Sequence, residues 1–184
     1  MDWSTAQNAI VAWIKAGTGL SRVVWSNQSV PKPAHDFVQV RLAAVRKLGG
    51  DELTRDQDLS RGPTASDEDF PLVLDVPGTE IEFTVQGERE LTLSIQVHTA
   101  RAVITPVALL SRLQTSLSLE SVRTGLLAAG LAPTDPGVVR DLSALVDTGW
   151  EGRASLECRF QFTETLSEFT TFIESAPVDV DIDS

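Results

Sequence analysis

The stretch LTLSIQVH at residues 91–98 alternates apolar and polar side chains without a break. Leucine, isoleucine and valine occupy its odd positions, whereas hydroxyl, amide and imidazole groups occupy its even positions. Because side chains of a β-strand point alternately to opposite faces, this pattern predicts a strand with one buried and one solvated face. Residues 81–86 alternate in the same way, so the sequence predicts a β-hairpin that turns at Gly87.

A second long hairpin is predicted further along the chain. Its strands are residues 138–146 and 154–162, and its turn lies at residues 147–150. The return strand alternates cleanly, with small, aliphatic and aromatic side chains at even positions and polar ones at odd positions. The proline, aspartate and glycine residues at 133–137 predict a break before this hairpin.

Three segments show helical patterns. The first follows Ser4, which is a candidate N-cap, and places an apolar stripe on one face as far as Ile14. The second begins at Thr105, with Pro106 at its first position. The third follows Ser118 and ends at Gly130, where a left-handed glycine cap is expected.

Together these elements predict an α+β fold. We expect a mainly antiparallel sheet with long hairpins, an N-terminal helix and a central helical pair packed on one face. A chain of 184 residues is about the size of one domain, so residues 1–184 are predicted to form a single domain. Within it, residues 49–69 are predicted to form an exposed acidic loop and residues 175–184 an acidic C-terminal tail.

Composition excludes several classes of function. The formal net charge of −11 disfavours a groove that grips nucleic acid by its phosphates. One cysteine and two histidines do not suffice for a four-ligand Cys/His zinc site within one chain. No phosphate-binding glycine motif and no long apolar run is visible, so no cofactor, metal or membrane association is predicted. No secretory signal pattern is visible, which predicts synthesis in the cytoplasm.

The segment ALVDTG at residues 144–149 is the sharpest enzymatic suggestion. It resembles the active-site loop of retroviral-type aspartic proteases, which would make Asp147 half of a catalytic pair in a homodimer. Such proteases need a further apolar-apolar-glycine element downstream, and residues 150–184 do not contain it. We therefore interpret Asp147 and Gly149 as turn residues of the second hairpin.

Other single residues have structural interpretations. Cys158 shares the apolar face of its strand, which predicts a buried and unreactive thiol. His98 is predicted to be a half-exposed strand histidine with no carboxylate at a defined spacing. Trp13 falls on the apolar stripe of the first helix and is predicted to belong to the core.

Several segments resemble the neck or tail terminator proteins of tailed bacteriophages. They are the opening helix, VWSNQ at 24–28 leading through Pro31 and Pro33 into FVQVRL at 37–42, RDLSAL at 140–145 and WEGRASL at 150–156. The resemblance in element order runs from the first helix to the final strand. It implies a structural protein of the virion neck, made in the cytoplasm of the bacterial host, and not an enzyme.

The resemblance also implies partners. Such proteins form a ring, usually of six copies, on the last ring of the tail tube, where they stop tube growth and meet the head-side connector or stopper protein. DNA would pass through without specific binding, and Asp67, Glu68 and Asp69 are candidates to line that passage or to form an exposed acidic loop. Alternatives are another ring of the connector, a stopper or adaptor, and a small-ligand binding module on the sheet.

Two segments are candidate contact surfaces because they combine aromatic side chains with rigid turns. One is the loop that carries Trp25, Gln28, Pro31 and Pro33, and the other is the hairpin tip that carries Asp147, Trp150 and Arg153.

Overall fold

The structure is a computed structural model that describes residues 1–26, 36–57, 80–99, 105–146 and 149–171. Within these ranges the chain forms the following elements in order: α1 (Trp3–Thr18), β1 (Val23–Trp25), β2 (Phe37–Gln57), β3 (Glu80–Thr99), α2 (Pro106–Ser116), α3 (Glu120–Ala128), β4 (Ala132–Asp135), β5 (Val139–Asp141), β6 (Ala144–Val146) and β7 (Gly149–Thr171).

The sheet is built on three long strands, β2, β3 and β7. The strand order is β1, β2, β3, β7, β4, and β5 and β6 also pair with β7. Strand β1 runs parallel to β2, whereas β4, β5 and β6 run antiparallel to β7. Thr84 contacts Ser167 and His98 contacts Glu151, so the numbers fall along β7 as they rise along β3. This pair is therefore antiparallel as well, and the predicted α+β class is confirmed.

The hydrophobic core lies between the helices and one face of the sheet. The Trp13 ring of α1 meets Phe160 of β7 edge to face at 5.8 Å, and its Nε1 donates a 2.9 Å hydrogen bond to Ser116 Oγ of α2. The predicted core position of Trp13 is confirmed. Fully buried members from both layers are Ile10, Ile14, Leu110, Leu113, Leu91, Leu93, Ile95, Val97, Ala154, Leu156, Cys158 and Phe160.

Helix α1 begins earlier than predicted. The carboxylate of Asp2 accepts hydrogen bonds from the backbone N–H groups of Ser4 and Thr5, both at 3.1 Å. The Thr5 hydroxyl also donates to it, and these bonds lower the pKa of Asp2. The prediction of Ser4 as N-cap is therefore wrong by two residues, because Asp2 already satisfies the first-turn donors.

The two central helices have the predicted boundaries. Thr105 precedes α2, and Pro106 occupies its first position. Helix α3 ends in a Schellman motif, in which Leu131 N–H bonds Leu126 C=O and Gly130 N–H bonds Leu127 C=O, both at 2.9 Å. Gly130 has a φ of 78°, as the predicted left-handed cap requires.

Strand β3 corrects the first predicted hairpin. The chain does not turn at Gly87, which is buried and has no positive φ, and continues as one strand from Glu80 to Thr99. The charged residues after Gly87, which suggested a turn, form ion pairs. Glu90 lies 2.7 Å from Arg46, and Arg89 lies 3.1 Å from Glu164. The charged stretch therefore lies within β3 and has partners on both neighbouring strands.

The second predicted hairpin is confirmed in its pairing, but its turn and first strand are wrong in part, because Gly149 and Trp150 already lie in β7 and the first strand is divided into β5 and β6. Val146 pairs with Gly149 and Ala144 with Glu151, and the pairing resumes in β5, where Val139 lies opposite Leu156. The predicted break at residues 133–137 is wrong in part, because Pro133 lies in β4, opposite Phe160. Strand β4 lies at one end of the strand order, where proline is tolerated, and its register shifts between Pro133 and Asp135.

The predicted acidic loop at residues 49–69 is also wrong in part. Strand β2 continues through Gly49, which adopts a φ of 72°, to Gln57. A glycine takes this conformation at little steric cost, so the strand passes the residue that suggested a loop. Residues 58–79 and the predicted acidic tail at 175–184 lie outside the described residues.

The chain divides into two compact units. One comprises Met1–Gly50 and Gly87–Glu164, and the other comprises Asp51–Gln86 and Thr165–Ser184. The helices and the hydrophobic core belong to the first unit, whereas the described part of the second consists of strand segments 51–57, 80–86 and 165–171. The single domain over residues 1–184 remains a prediction.

Candidate functional site

The face of the sheet opposite the helices is polar. On β3 this face carries the half-buried side chains of Ser94 and Gln96, which alternate with the buried aliphatic residues. Arg153 of β7 donates a hydrogen bond from Nη2 to Gln96 Oε1 at 2.6 Å. The Nε of Arg153 is buried and has no hydrogen-bond partner among the described residues.

These side chains line an open depression of about 400 Å³. Its walls are formed by Ser26, Gln39, Arg41, Ser94, Gln96 and Arg153. Two guanidinium groups and no carboxylate appear in this lining among the described residues, in a chain of net charge −11. Such a surface suits a carboxylate, which can accept bidentate hydrogen bonds from arginine.

A second depression, of about 370 Å³, adjoins the first at Ser26 and Arg41. Its lining combines aromatic and aliphatic groups with a few polar ones: Trp3, Gln7, Trp25, Ser26, Val40, Arg41 and Leu42. Val40 is buried in the core shared with the helices, whereas Leu42 is 39% exposed. The two depressions therefore share Ser26 and Arg41 but differ in character, one polar and one largely apolar.

His98 differs from its prediction in two respects. The residue is buried, at 7% exposure, and its Nδ1 lies 3.1 Å from Glu151 Oε1. Its ring stacks on that of Phe37, with centroids 4.5 Å apart and planes 2° from parallel. The antiparallel register of β3 and β7 brings Glu151 beside His98 from a distant position in the sequence, so no local spacing could indicate it.

Of the first candidate contact surface, Trp25 lies among the described residues. Trp25 is only 9% exposed and belongs to the hydrophobic core at the end of β1. Most of its area is thus committed within the subunit, which limits its use as an exposed anchor. Gln28, Pro31 and Pro33 lie outside the described residues.

Of the second candidate surface, the structure describes Arg153 and the backbone of Trp150. The backbone of Trp150 lies in β7 opposite Leu145. Arg153 is half-buried on the polar face, where it forms one wall of the polar depression. Asp147 and the candidate acidic residues Asp67, Glu68 and Asp69 lie outside the described residues.

Cys158 is buried in the core, as predicted. Burial raises the pKa of its thiol to about 12, and the charge of Asp135 acts in the same direction. A thiol in this state is a weak nucleophile because almost none of it is ionised near neutral pH.

Groups of side chains that could hold a metal ion do not occur among the described residues. None of the helices in the described part of the chain has the length and apolar character needed to cross a membrane.

Sequence reasoning missed several residues of these depressions. Gln39 and Arg41 occupy alternate positions of β2, and Ser94 and Gln96 occupy alternate positions of β3. Their alternation indicated a shared polar face, but the pairing of β2 with β3 was needed to show that they meet. Phe37, which stacks on His98, gave no comparable signal because it adjoins the apolar residue Val38.

Comparison with known proteins addresses the identity of the chain. A search of curated proteins finds no match. A family model described as phage neck terminator protein matches residues 4–184, which is nearly the entire chain. The match covers the three long strands, the helices and the residues that line both depressions, except Trp3, and we conclude that the chain belongs to the phage neck terminator protein family.

Proposed function

We propose that the protein forms a ring, of six copies, that caps the tail tube of a tailed phage, ends tube growth and meets the head-side connector. Membership of the neck terminator family supports a structural role in the neck. The ring, the cap and the partners are the finer part of this proposal, and they agree with the resemblance found in the sequence.

The observation that carries the proposal is the length of β2, β3 and β7. These strands have 21, 20 and 23 residues, whereas strands of globular proteins usually have about 5 or 6. Among the residues whose side chains the structure describes, the core members of these strands lie in the first unit. We infer that the strand segments of the second unit serve contacts outside the subunit.

The second unit carries exposed apolar side chains on these strand segments. Leu53 is 63% exposed and Leu166 is 69% exposed, and neither belongs to the core. Exposed leucines on otherwise polar strands are suited to burial between subunits, where apolar area removed from water stabilises the contact. We assign these segments to contacts between neighbouring copies of the ring.

Net charge supports passage of DNA through such a ring. At −11 per chain, an acidic passage repels the phosphates and does not retain them. We propose that Asp67, Glu68 and Asp69 line this passage.

Reversal of these three charges to lysine should leave the ring intact and slow DNA delivery, measured as phage titre and DNA release. Unchanged delivery would remove these residues from the passage.

The capping role is tested by polymerising tail tube protein with and without the purified chain. We expect shorter tubes that carry a ring at one end in electron micrographs, because a bound cap blocks addition of further tube rings. Leu166→Ser should cap less well if exposed leucine contributes to ring formation, and Leu127→Ser on α3 is the matched control that should cap like the unmodified chain. An unchanged distribution of tube lengths, without rings at tube ends, would contradict the capping role.

A further inference from the structure

The charge of Arg153 is not matched by a carboxylate within the described part of the subunit. The residue is half-buried, and its Nη2 donates to the neutral amide of Gln96. Its Nε is buried and has no hydrogen-bond partner among the described residues. The ion pairs formed there involve other side chains. Because a partly buried cation is stabilised by an anion that accepts its hydrogen bonds, Arg153 favours a carboxylate from outside the subunit.

Arg41 supplies a second cation to the same depression. It belongs to β2 and Arg153 belongs to β7, while Ser94 and Gln96 of the intervening strand β3 line the depression between them. Neighbouring strands lie about 4.8 Å apart, so β2 and β7 are separated by about 10 Å. The side chain of arginine is long enough for an anion seated over β3 to accept hydrogen bonds from both flanking strands.

A carboxylate of a protein suits this depression better than a phosphate of DNA. The amide and hydroxyl groups of the lining are neutral, and its charge comes from two guanidinium groups. A carboxylate carries one negative charge and accepts paired hydrogen bonds from a guanidinium. A DNA duplex would bring many phosphates toward a chain of net charge −11, and that repulsion disfavours its approach.

The acidic residues of the chain are concentrated in the second unit. The first unit contains 13 lysine and arginine residues and 11 aspartate and glutamate residues, whereas the second contains 2 and 15. Their formal charges are therefore +2 and −13. Because the residues that line the depression belong to the first unit, the second unit of a neighbouring copy is an electrostatically complementary partner.

Within the second unit, β7 presents a carboxylate beside apolar area. Leu166 is 69% exposed, and Glu168 is exposed as well. Because these residues are two positions apart in a strand, their side chains lie on the same face. On β2, by contrast, the exposed Glu52 directly precedes Leu53, so that carboxylate and that leucine lie on opposite faces. The β7 segment therefore combines charge with apolar area that is stabilised by burial between copies.

We propose that the polar depression is a carboxylate-binding site, and that Glu168 of a neighbouring copy occupies it between Arg41 and Arg153. This inference rests on the proposed function because it requires copies to associate. A contact in which each copy offers its second unit to the first unit of the next is heterologous, and such contacts close into rings when the rotation permits.

The experiment uses charge reversal in the full chain, with assembly followed by native mass spectrometry. Arg41→Glu impairs the depression and Glu168→Arg impairs the carboxylate, and both residues are exposed, so their replacement leaves the core intact. We expect each variant to weaken association about tenfold or more, because a charge pair at the contact becomes a repulsive one. Combining the two changes should restore the oligomer at concentrations where each single variant has lost it.

Two controls separate this pair from a general effect of charge. Arg41→Glu combined with Glu52→Arg has the same net charge as the exchanged pair, but it should remain dissociated because Glu52 is not the proposed partner. Arg123→Glu on α3, an exposed arginine outside the depression, should assemble like the unmodified chain.

The Nε–H signal of Arg153 in nuclear magnetic resonance spectra tests the depression without a ring. We expect sodium acetate, added to the Glu168→Arg chain, to shift this signal saturably, whereas sodium chloride at equal ionic strength does not. Loss of the signal in Arg153→Lys assigns it. The signal of Arg123 serves as the control and should not respond to acetate.

Several outcomes overturn the inference. Retention of the full ring by either single variant would show that rings form without this contact, and the proposed function would stand. Failure of the exchanged pair to regain the oligomer, or its recovery with Glu52→Arg, would contradict the assignment of Glu168. An Arg153 signal that acetate leaves unchanged would show that the depression admits no carboxylate. A monomeric unmodified chain under all conditions would instead refute self-assembly into a ring, and this contact with it.

Discussion

Arg153 on β7 donates a 2.6 Å hydrogen bond from Nη2 to Oε1 of Gln96 on β3, which joins two long strands across the polar face. Both side chains are half-buried, so water competes only partly for this bond. We expect Arg153→Ala and Gln96→Ala each to lower the free energy of unfolding by about 1 kcal/mol. Urea unfolding of the two variants measures the loss.

The double variant tests whether the two residues act together. If the hydrogen bond accounts for the losses, the effects will be less than additive, with a coupling energy of about 0.5 kcal/mol or more. Arg159→Ala is the control, because Arg159 is exposed on the same strand and should change stability by less than about 0.5 kcal/mol. Strict additivity would show that the bond contributes nothing.

Two glycines near the end of α3 should respond to alanine in opposite directions. Gly130 has a φ of 78° in the Schellman motif, so Gly130→Ala should lower the free energy of unfolding by about 1 kcal/mol. Gly125 lies within the helix with open space around its Cα, so Gly125→Ala should raise it by about 0.5 to 1 kcal/mol. Thermal unfolding distinguishes the two, and shifts of the same sign would refute the assigned cap.

Cys158 should be inert to a thiol reagent while the chain is folded. Burial raises its pKa to about 12 from an ordinary 9, so the thiolate is scarce at pH 8 and the sulfur is shielded. A chromogenic disulfide reagent should react fully only after addition of denaturant. Leu53→Cys, which places a second thiol at an exposed position, should react at once and serves as the control.

The same shift predicts a dependence of stability on pH. The unfolded thiol loses its proton near pH 9 and the folded one near pH 12, so the folded state binds more protons between these values. The contribution of Cys158 to stability is therefore complete below pH 9 and declines as pH rises toward 12. Cys158→Ala should flatten this part of the stability profile, and an unchanged slope would contradict the shift.

Leu166 should contribute to assembly and not to the fold of the subunit. It is 69% exposed and lies outside the core, so Leu166→Ser should change the midpoint of thermal unfolding of the monomer little and weaken association about tenfold. Leu127→Ser on α3 is the control, since Leu127 is also exposed but lies on a helix of the first unit. Equal weakening by both variants would argue against a specific contact at Leu166.

Local patterns in the sequence were sufficient for the elements that depend on neighbouring residues. The Pro106 start of α2, the Gly130 cap of α3 and the buried face of β7 all follow from residues within a few positions of each other. The α+β class followed from these elements, because alternating strands and amphipathic helices leave few ways to bury their apolar sides.

One error was local, because Asp2 and not Ser4 caps α1, but others arose where distant residues decide the structure. Gly87 and the charged residues after it suggested a turn, yet they lie inside β3, where Glu90 meets Arg46 of β2 and Arg89 meets Glu164 of β7. The environment of His98 likewise depends on Glu151, which reaches it only through the register of β3 and β7. Long-range pairing of this kind leaves no periodic signal in the sequence.

Native mass spectrometry of the unmodified chain over a wide range of concentrations, with negative-stain images of the same samples, tests the ring most directly. The account predicts one discrete closed species, of about 120 kDa for six chains of 19.9 kDa, that appears in the images as a ring with a central opening. A monomer at every concentration, or a dimer without a central opening, would contradict it.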